Sequence, residues 1–342
     1  MPDLRSFLHR TFEKSGGEIP FENFMAMALY DPSFGYYSTQ IENVGGERGD
    51  FATSATLSAA LGRSIAKWLK EEREYHDWSG TFHVIEVGAG NGVLAREILK
   101  SFNWWKRREV HYHIVEISAP LLKKQQAVLK GFKVFWHTKM EEALKDAGNK
   151  ALIFSNELVD AFPAKRMIWS EIEGHWHEVF VAFDRKSGLS EVFRALPKGF
   201  PVDLYSAMNL SERPQGQRVE IQPLYQLWLA HAVQQWEQGS MLTIDYGGEA
   251  AEIYHRRPCG TARAYFQQER LEGAKIYQRI GKQDLTVDVN FTDLMNWSEE
   301  LELEKVGYEK QTEFLHRCGE GSDVMAGAGV GDAFRVLSQR RW

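Results

Sequence analysis

The hydrophobic positions between Thr81 and Ser155 alternate between two kinds of segment. Short apolar runs of strand length are separated by longer stretches whose apolar residues recur at helical spacing. This alternation is typical of β-α-β units, in which parallel strands are joined by helices that cover the sheet. The sequence therefore predicts an α/β fold, with strands near 82–88, 111–117, 133–136 and 151–155 and helices near 92–102 and 119–130.

The part of the chain before this region has a different pattern. Residues 1–78 have mainly helical spacing, apart from an irregular stretch from Asp31 to Phe51 that contains several glycines. Long ordered loops in compact domains are usually functional. We therefore predict an N-terminal helical and loop segment, 1–78, that covers a site in the main domain, 79–342.

The part that follows contains an insertion and a pair of closing strands. The next apolar strand begins only at Met241, so we place an insertion at about 164–238. Within it we predict two or three strands around 167–183 and a helix over 224–238. At the end of the chain, the pattern predicts paired strands at 312–317 and 333–337, joined by a glycine-rich segment.

The first strand of the alternating region ends on an acid and three alternate glycines: Val84-Ile85-Glu86-Val87-Gly88-Ala89-Gly90-Asn91-Gly92. Glycines allow a close approach of a ligand to the main chain, and the helix that follows offers free N–H groups. A dinucleotide loop has the spacing G-x-G-x-x-G, but Val93 occupies its third glycine position. Such a turn also occurs for structural reasons, so the loop alone leaves cofactor and structural roles open.

Glu116 stands at the predicted carboxyl end of the second strand of this region. Ligands of open α/β sheets bind outside these strand ends. A carboxylate there can accept hydrogen bonds from the two hydroxyls of a ribose. The alternative is a solvated glutamate at the end of a strand, and the neighbouring glycine loop favours the ribose role.

Composition narrows the classes of partner and cofactor. Lys and Arg total 41 and Asp and Glu total 47, so the net charge of −6 gives no general attraction to nucleic acid or an anionic membrane. Cys259 and Cys318 are far apart, and the 11 histidines include no H-E-x-x-H spacing, so we expect neither disulfides nor a metal. With no secretory or membrane-length apolar run, we expect a cytoplasmic protein without membrane insertion.

Five segments in chain order resemble the MidA-type methyltransferases, the family of the mitochondrial complex I assembly factor that methylates an arginine. The glycine loop likewise resembles the first motif of methyltransferases that use S-adenosylmethionine. The segments are 24–32 (FMAMALYDP), 35–37 (GYY), 49–53 (GDFAT), 155–163 (SNELVDAFP) and 284–291 (DLTVDVNF).

The resemblance implies a seven-stranded Rossmann-like methyltransferase sheet with an inserted substrate region, and S-adenosylmethionine as the cofactor. It also implies which residues contact that cofactor. The cofactor-binding residues are then Glu86, Gly88, Gly90, Gly92, Glu116 and Asn156, with Glu116 on the ribose.

The same resemblance implies a protein substrate whose arginine is methylated, with a respiratory complex I subunit as a candidate. Glu157, Asp160 and Asp50 are then the catalytic candidates, and Glu157 and Asp160 share one face if the turn between them is helical. This chain has Ala55-Thr56 where the family usually has Pro-Glu. That difference leaves the substrate preference and the level of catalysis open.

Three functions therefore remain from the sequence. The first is a protein arginine methyltransferase that uses S-adenosylmethionine. The second is an assembly or binding protein that keeps the fold with little catalysis. The third is a nicotinamide oxidoreductase, against which Val93 argues.

Overall fold

The computed structural model describes residues 3–39, 55–267, 269–320 and 332–342. No helix in these ranges is both long enough and apolar enough to cross a membrane. The helices are α1 (Leu4–Lys14), α2 (Phe21–Tyr30), α3 (Tyr36–Thr39), α4 (Ala55–Tyr75), α5 (Val93–Lys100), α6 (Trp104–Arg107), α7 (Ala119–Val128), α8 (Met140–Asp146), α9 (Pro223–Gln235), α10 (Ala250–Arg256), α11 (Phe291–Glu300) and α12 (Gln311–Arg317).

The strands are numbered in the same way, and several short 3₁₀ turns lie between them. They are β1 (Glu18–Pro20), β2 (Phe82–Val87), β3 (Val110–Val115), β4 (Val134–His137), β5 (Leu152–Asn156), β6 (Lys165–Ser170), β7 (His175–Asp184), β8 (Gly188–Ala195), β9 (Arg218–Ile221), β10 (Gly239–Gly248), β11 (Arg263–Phe266), β12 (Glu269–Leu271), β13 (Asp284–Thr286), β14 (Val289–Asn290), β15 (Glu304–Lys310) and β16 (Phe334–Arg341).

The chain divides into two compact units, each assembled from three segments. The first unit contains Met1–Ile41, Asp160–Gln226 and Gly248–Asp293. The second unit contains Glu42–Val159, Leu227–Gly247 and Leu294–Trp342.

The second unit is built on a mixed sheet with the strand order β15-β16-β10-β5-β2-β3-β4. Strands β10, β5, β2, β3 and β4 are parallel to their neighbours, and β16 and β15 close the sheet as an antiparallel pair. The predicted α/β fold is confirmed, because the parallel strands follow the β-α alternation of the sequence. Their carboxyl ends lie along one edge, which brings the loops after β2, β3 and β5 together.

The core of the second unit consists of apolar side chains from the sheet and from three helices that pack on it. Strands β2 and β3 are buried almost throughout, as expected for parallel strands covered on both faces. The core includes Leu61, Ile65 and Leu69 of α4, Ala95, Ile98 and Leu99 of α5, Phe314 and Leu315 of α12, and Val84, Tyr112, Ile114, Leu152, Phe154, Leu242 and Ile244 of the strands.

The predicted strand at 312–317 is wrong, because these residues form helix α12. The buried residues Gln311, Phe314 and Leu315 are spaced i, i+3, i+4, which is the helical period. The helix begins where the carboxylate of Glu313 accepts the backbone N–H of Lys310 at 2.9 Å. The predicted strand at 333–337 is confirmed as part of β16, and its partner is β15.

Within the described ranges, the first unit has two smaller sheets. One has the order β1-β7-β6-β9, with β8 paired to β7, and the other has the order β12-β11-β13. Strands β6 and β7 occupy the region where the sequence predicted strands around 167–183, and β8 and β9 follow them. The hairpin of β6 and β7 pairs Ser170 with His175 across a short turn.

Candidate active site

A loop of three left-handed glycines joins β2 to α5. The φ angles of Gly88, Gly90 and Gly92 are 71°, 52° and 78°. L-residues with a side chain rarely adopt this conformation, whereas glycine adopts it without a steric penalty. The alternate glycines therefore let the chain turn sharply from β2 into the first turn of α5, where Val93 begins the helix.

The surroundings of the three glycines differ. A Cβ atom on Gly88 would lie 2.8 Å from Cδ1 of Leu158, and one on Gly92 would lie 3.2 Å from Cα of Gln125. A Cβ atom on Gly90 would meet no atom of the described chain within 4 Å. Gly88 and Gly92 therefore allow neighbouring chain segments to pack closely, while no described atom would obstruct a side chain at Gly90.

Glu116 follows β3 and has a buried carboxylate, with 6% of the residue exposed. It accepts hydrogen bonds from the backbone N–H of Ser118 at 2.8 Å and from Nε2 of Gln125 at 2.9 Å. Burial raises the pKa of Glu116, and these hydrogen bonds act in the opposite direction. The Nε2 group of Gln125 also donates to the carbonyl of Gly90 at 3.0 Å, so one side chain connects Glu116 with the glycine loop.

Glu86 lies inside the sheet, two residues before the loop, and is 2% exposed. It accepts a hydrogen bond of 2.8 Å from the hydroxyl of Tyr112 on β3. Burial raises the pKa of Glu86 to about 8, although the bond from Tyr112 lowers it. The side chain is therefore mostly protonated at neutral pH, a buried polar group held by Tyr112.

Asn156 and Glu157 occupy the turn at the carboxyl end of β5. Glu157 has a φ of 52°, a left-handed conformation that is uncommon for a residue other than glycine. Its backbone N–H donates to the carbonyl of Ile244 at 2.9 Å, and its carboxylate accepts Nδ2 of Asn156 at 3.1 Å. Strain of this kind, held in place by surrounding hydrogen bonds, is common in active sites.

Asp245 holds the next part of this turn. It is fully buried near the end of β10, and its Oδ2 accepts the backbone N–H groups of Leu158 at 3.1 Å and Val159 at 2.8 Å. Because Leu158 packs against Gly88, the turn after β5 lies directly against the glycine loop.

Two buried acceptors beside these loops have no hydrogen-bond partner among the described residues. They are Oδ1 of Asn156 and Oε1 of Gln125. A buried polar atom without a partner costs about 1–3 kcal/mol. Donor groups of a bound ligand would remove this cost.

The first unit holds Asp160, which is 4% exposed. Its carboxylate accepts the hydroxyl of Thr286 at 2.7 Å, and burial raises the pKa of Asp160 to about 6. Glu157 and Asp160 were expected to share one face if the turn between them is helical. The turn is not helical at Glu157, because its φ is left-handed. A catalytic role for Asp160 stays a prediction, as does one for Asp50, which lies outside the described residues.

The structure thus brings together the predicted residues Gly88, Gly90, Gly92, Glu116, Asn156 and Glu157 at one edge of the sheet, with Glu86 buried beside them. Sequence reasoning missed Gln125 and Asp245. Asp245 had a usable signal, since it is an acid at the end of an apolar strand, as Glu116 is. Gln125 had none, because a glutamine on a helix is usually a surface residue.

The chain resembles curated proteins along most of its length. It is 29% identical over 318 residues to the Drosophila melanogaster homolog of protein arginine methyltransferase NDUFAF7, covering 81% of this chain and 66% of that protein. It is 25% identical over 346 residues to human protein arginine methyltransferase NDUFAF7, covering 93% of this chain and 73% of that protein. The chain thus spans about two thirds of the fly protein and somewhat more of the human one.

A solved structure from Burkholderia thailandensis, bound to S-adenosyl-homocysteine, has the same fold. The TM-score is 0.79 at 22% sequence identity, and the match covers 99% of this chain and 92% of that one. The profile of a family described as "putative S-adenosyl-L-methionine-dependent methyltransferase" matches residues 60–309. This span includes the glycine loop, Glu116 and the turn after β5. The chain therefore belongs to this family of S-adenosylmethionine-dependent methyltransferases.

Proposed function

We propose that this chain transfers a methyl group from S-adenosylmethionine to an arginine of a protein substrate and acts in this way in respiratory complex assembly, with a complex I subunit as the candidate substrate. The names of the fly and human relatives support arginine as the acceptor. The observation that carries the proposal is the conformation of Glu157. A left-handed glutamate, held by hydrogen bonds in a turn whose Leu158 packs on the glycine loop, supports a catalytic role for the Glu157 carboxylate.

The residues around the glycine loop fit S-adenosylmethionine. Glu116 would accept the ribose hydroxyls, and the open space at Gly90 would admit the ligand against the main chain. The unpartnered acceptors of Asn156 and Gln125 offer sites for ligand N–H or O–H groups. When bound, S-adenosylmethionine supplies a methyl group on a positively charged sulfur.

An arginine acceptor needs a carboxylate more than it needs a strong base. The pKa of an arginine guanidinium is above about 12, so the side chain enters the site as a cation. Glu157 would hold it with charge-assisted hydrogen bonds and accept the proton released when a nitrogen takes the methyl group. Asp245 fixes the turn that carries Glu157. Holding acceptor and methyl donor in the reacting geometry can contribute about 7–11 kcal/mol to catalysis.

The test is transfer of an isotopically labelled methyl group from S-adenosylmethionine to proteins of a lysate from cells that lack this chain. Mass spectrometry then maps the labelled residue. We expect label on an arginine of one or a few proteins. Label on another residue type would contradict arginine as the acceptor, and cofactor binding without any transfer would contradict the enzymatic proposal.

The role of Glu157 is tested by Glu157→Gln. We expect this variant to bind S-adenosyl-homocysteine as the wild type does and to lose at least about tenfold in turnover, because it keeps the shape and removes the charge. Glu302→Gln is the matched control, since Glu302 is also a left-handed glutamate, with a φ of 60°, and lies outside the site. Normal turnover in Glu157→Gln, or loss of cofactor binding, would contradict the assignment.

A further inference from the structure

Three potential metal ligands converge at the tip of the β6–β7 hairpin, in the first unit. Glu173 lies in the turn, and His175 and His177 point to the same face of β7, because alternate residues of a strand share a face. One carboxylate oxygen of Glu173 lies 3.0 Å from Nε2 of His175 and 3.0 Å from Nε2 of His177. The three ligand atoms all lie within 4.8 Å of one another.

The two N···O separations suit a divalent transition ion. Ligand atoms about 2.0–2.2 Å from Zn²⁺ are separated by about 3.3 Å in a tetrahedral site and by about 2.9 Å at right angles in an octahedral one. The two N···O distances of 3.0 Å lie between these values. Two imidazoles and one carboxylate also form a ligand set typical of zinc sites that keep an open position.

The surroundings of His175 are compatible with a metal ion at Nε2. Its Nδ1 lies 3.3 Å from the carbonyl of Trp176, so an Nδ1–H group can donate to that carbonyl. With the proton on Nδ1, the lone pair of Nε2 faces an oxygen of Glu173, and a metal ion between these two atoms would bind both of them. Metal-bound histidines commonly donate their other N–H to a carbonyl in this way.

The backbone of the hairpin positions the carboxylate. The N–H of Glu173 donates to Oγ of Ser170 at 3.2 Å, and the N–H of Gly174 donates to the carbonyl of Ser170 at 2.8 Å. Glu173 and His177 also line a surface cavity of about 310 Å³, together with Trp169 and Gln215. The cavity provides access for an ion and room for a further ligand on it.

We propose that Glu173, His175 and His177 form a binding site for a divalent transition ion of the zinc class. The sequence predicted no metal site because the histidines lack the H-E-x-x-H spacing and the two cysteines lie far apart. The spacing here is E-x-H-x-H, and it becomes a ligand set only because a tight turn folds Glu173 back toward the strand. The site is independent of the proposed methyl transfer.

The test is Zn²⁺ titration of the full chain, produced without a polyhistidine tag and treated with a chelator, in competition with a chromophoric zinc indicator. We expect one equivalent to bind. Loss of a ligand should weaken binding at least tenfold, so His177→Ala and Glu173→Gln should both do so. Co²⁺ should give a visible spectrum without a thiolate charge-transfer band, which separates this site from any site at Cys259 or Cys318.

The matched controls are Glu171→Gln and His255→Ala, which remove an exposed acid of the same turn and an exposed histidine of the same unit. Both should bind Zn²⁺ as the wild type does. Thermal unfolding without metal checks that all variants fold equally. Absence of stoichiometric binding, or equal binding by wild type, His177→Ala and Glu173→Gln, would overturn the proposal.

Discussion

Among single residues, Glu116 is the one whose loss should most directly weaken cofactor binding. Its carboxylate is buried and already oriented by Ser118 and Gln125, so it can accept ligand hydroxyls with little reorganisation. A hydrogen bond to a charged group contributes about 1.5–3 kcal/mol. We expect Glu116→Ala to weaken S-adenosylmethionine binding about tenfold to a hundredfold, measured by calorimetry. Unchanged affinity would remove Glu116 from the site, and the exposed Glu300→Ala is the control.

Glu86 should make the stability of the protein depend on pH. Its pKa in the folded protein is about 8, above the ordinary value of 4.5, so the folded state binds a proton that the unfolded state has lost. The resulting stabilisation is fully present below pH 4.5 and is lost as the pH rises toward 8. Each pH unit in this window should lower the free energy of unfolding by up to about 1.4 kcal/mol.

The measurement is urea unfolding of the wild type and Glu86→Gln across this pH range. The variant should become more stable than the wild type as the pH rises, because a neutral amide has no proton to lose. Asp160 and Asp293 also have pKa values raised to about 6 by burial, so only the difference between the two proteins reports on Glu86. A difference that does not change with pH would contradict the buried, protonated state of Glu86.

How far single residues could be predicted depended on their position in the chain. Glu116 and the three glycines could be identified because they stand at a strand end, where local pattern and ligand chemistry coincide. The contact of Gln125 with both Gly90 and Glu116 depends on how α7 packs across the loop, which the local sequence does not determine. The left-handed conformation of Glu157 likewise arises from hydrogen bonds to β10, a strand distant in sequence.

At the level of elements, the glycine loop gives a prediction for cofactor binding. We expect Gly90→Ala to weaken cofactor binding more than it lowers the stability of the protein. The φ of 52° penalises alanine by about 1–2 kcal/mol, but the added methyl group meets no described atom of the protein. It does enter the space that we assign to the cofactor. Gly148→Ala is the matched control, because Gly148 has a φ of 63° and equally open surroundings at the end of α8.

We expect the two variants to lose similar stability by urea unfolding, and only Gly90→Ala to lose affinity for S-adenosyl-homocysteine. Equal affinities in both variants would show that the cofactor does not occupy the space beside Gly90.

Helix α12 predicts a pattern of mutational effects that a strand would not give. Phe314 is fully buried and His316 is exposed, whereas in a strand these two residues would share a face. We expect Phe314→Ala to lower the free energy of unfolding by about 3–5 kcal/mol and His316→Ala to have little effect. Large losses in both variants, measured by urea unfolding, would support the strand pattern and contradict the helix.

Helices and strands could be predicted from the sequence where their hydrophobic pattern extends over many residues. The β-α alternation from Thr81 to Ser155 gives the parallel strands and their helices nearly in place, because apolar strands and amphipathic helices differ over many residues. The segment 312–317 is too short for its hydrophobic pattern to distinguish the helical period from the strand period. The hydrogen bond from the N–H of Lys310 to Glu313 caps the segment as a helix.

For the whole molecule, the class of fold followed from the sequence, whereas no local pattern indicates that each compact unit joins distant segments. The first unit joins residues from the N-terminal segment, the region after β5 and the region after β10. Contacts between such distant segments leave no periodic signal in any one of them. The resemblance of five segments to MidA-type methyltransferases predicted the family. The match of the methyltransferase family profile to residues 60–309 confirms it.

The central claim is that the carboxyl edge of the parallel sheet binds the adenosine-containing methyl donor, and calorimetry with S-adenosyl-homocysteine tests it most directly. NAD serves as the comparison ligand, since an oxidoreductase with this fold would bind it. We predict that S-adenosyl-homocysteine binds with a stoichiometry of one per chain in the wild type, more weakly in Glu116→Ala and Gly90→Ala, and that NAD gives no binding heat. Saturable NAD binding in the absence of S-adenosyl-homocysteine binding would contradict the account.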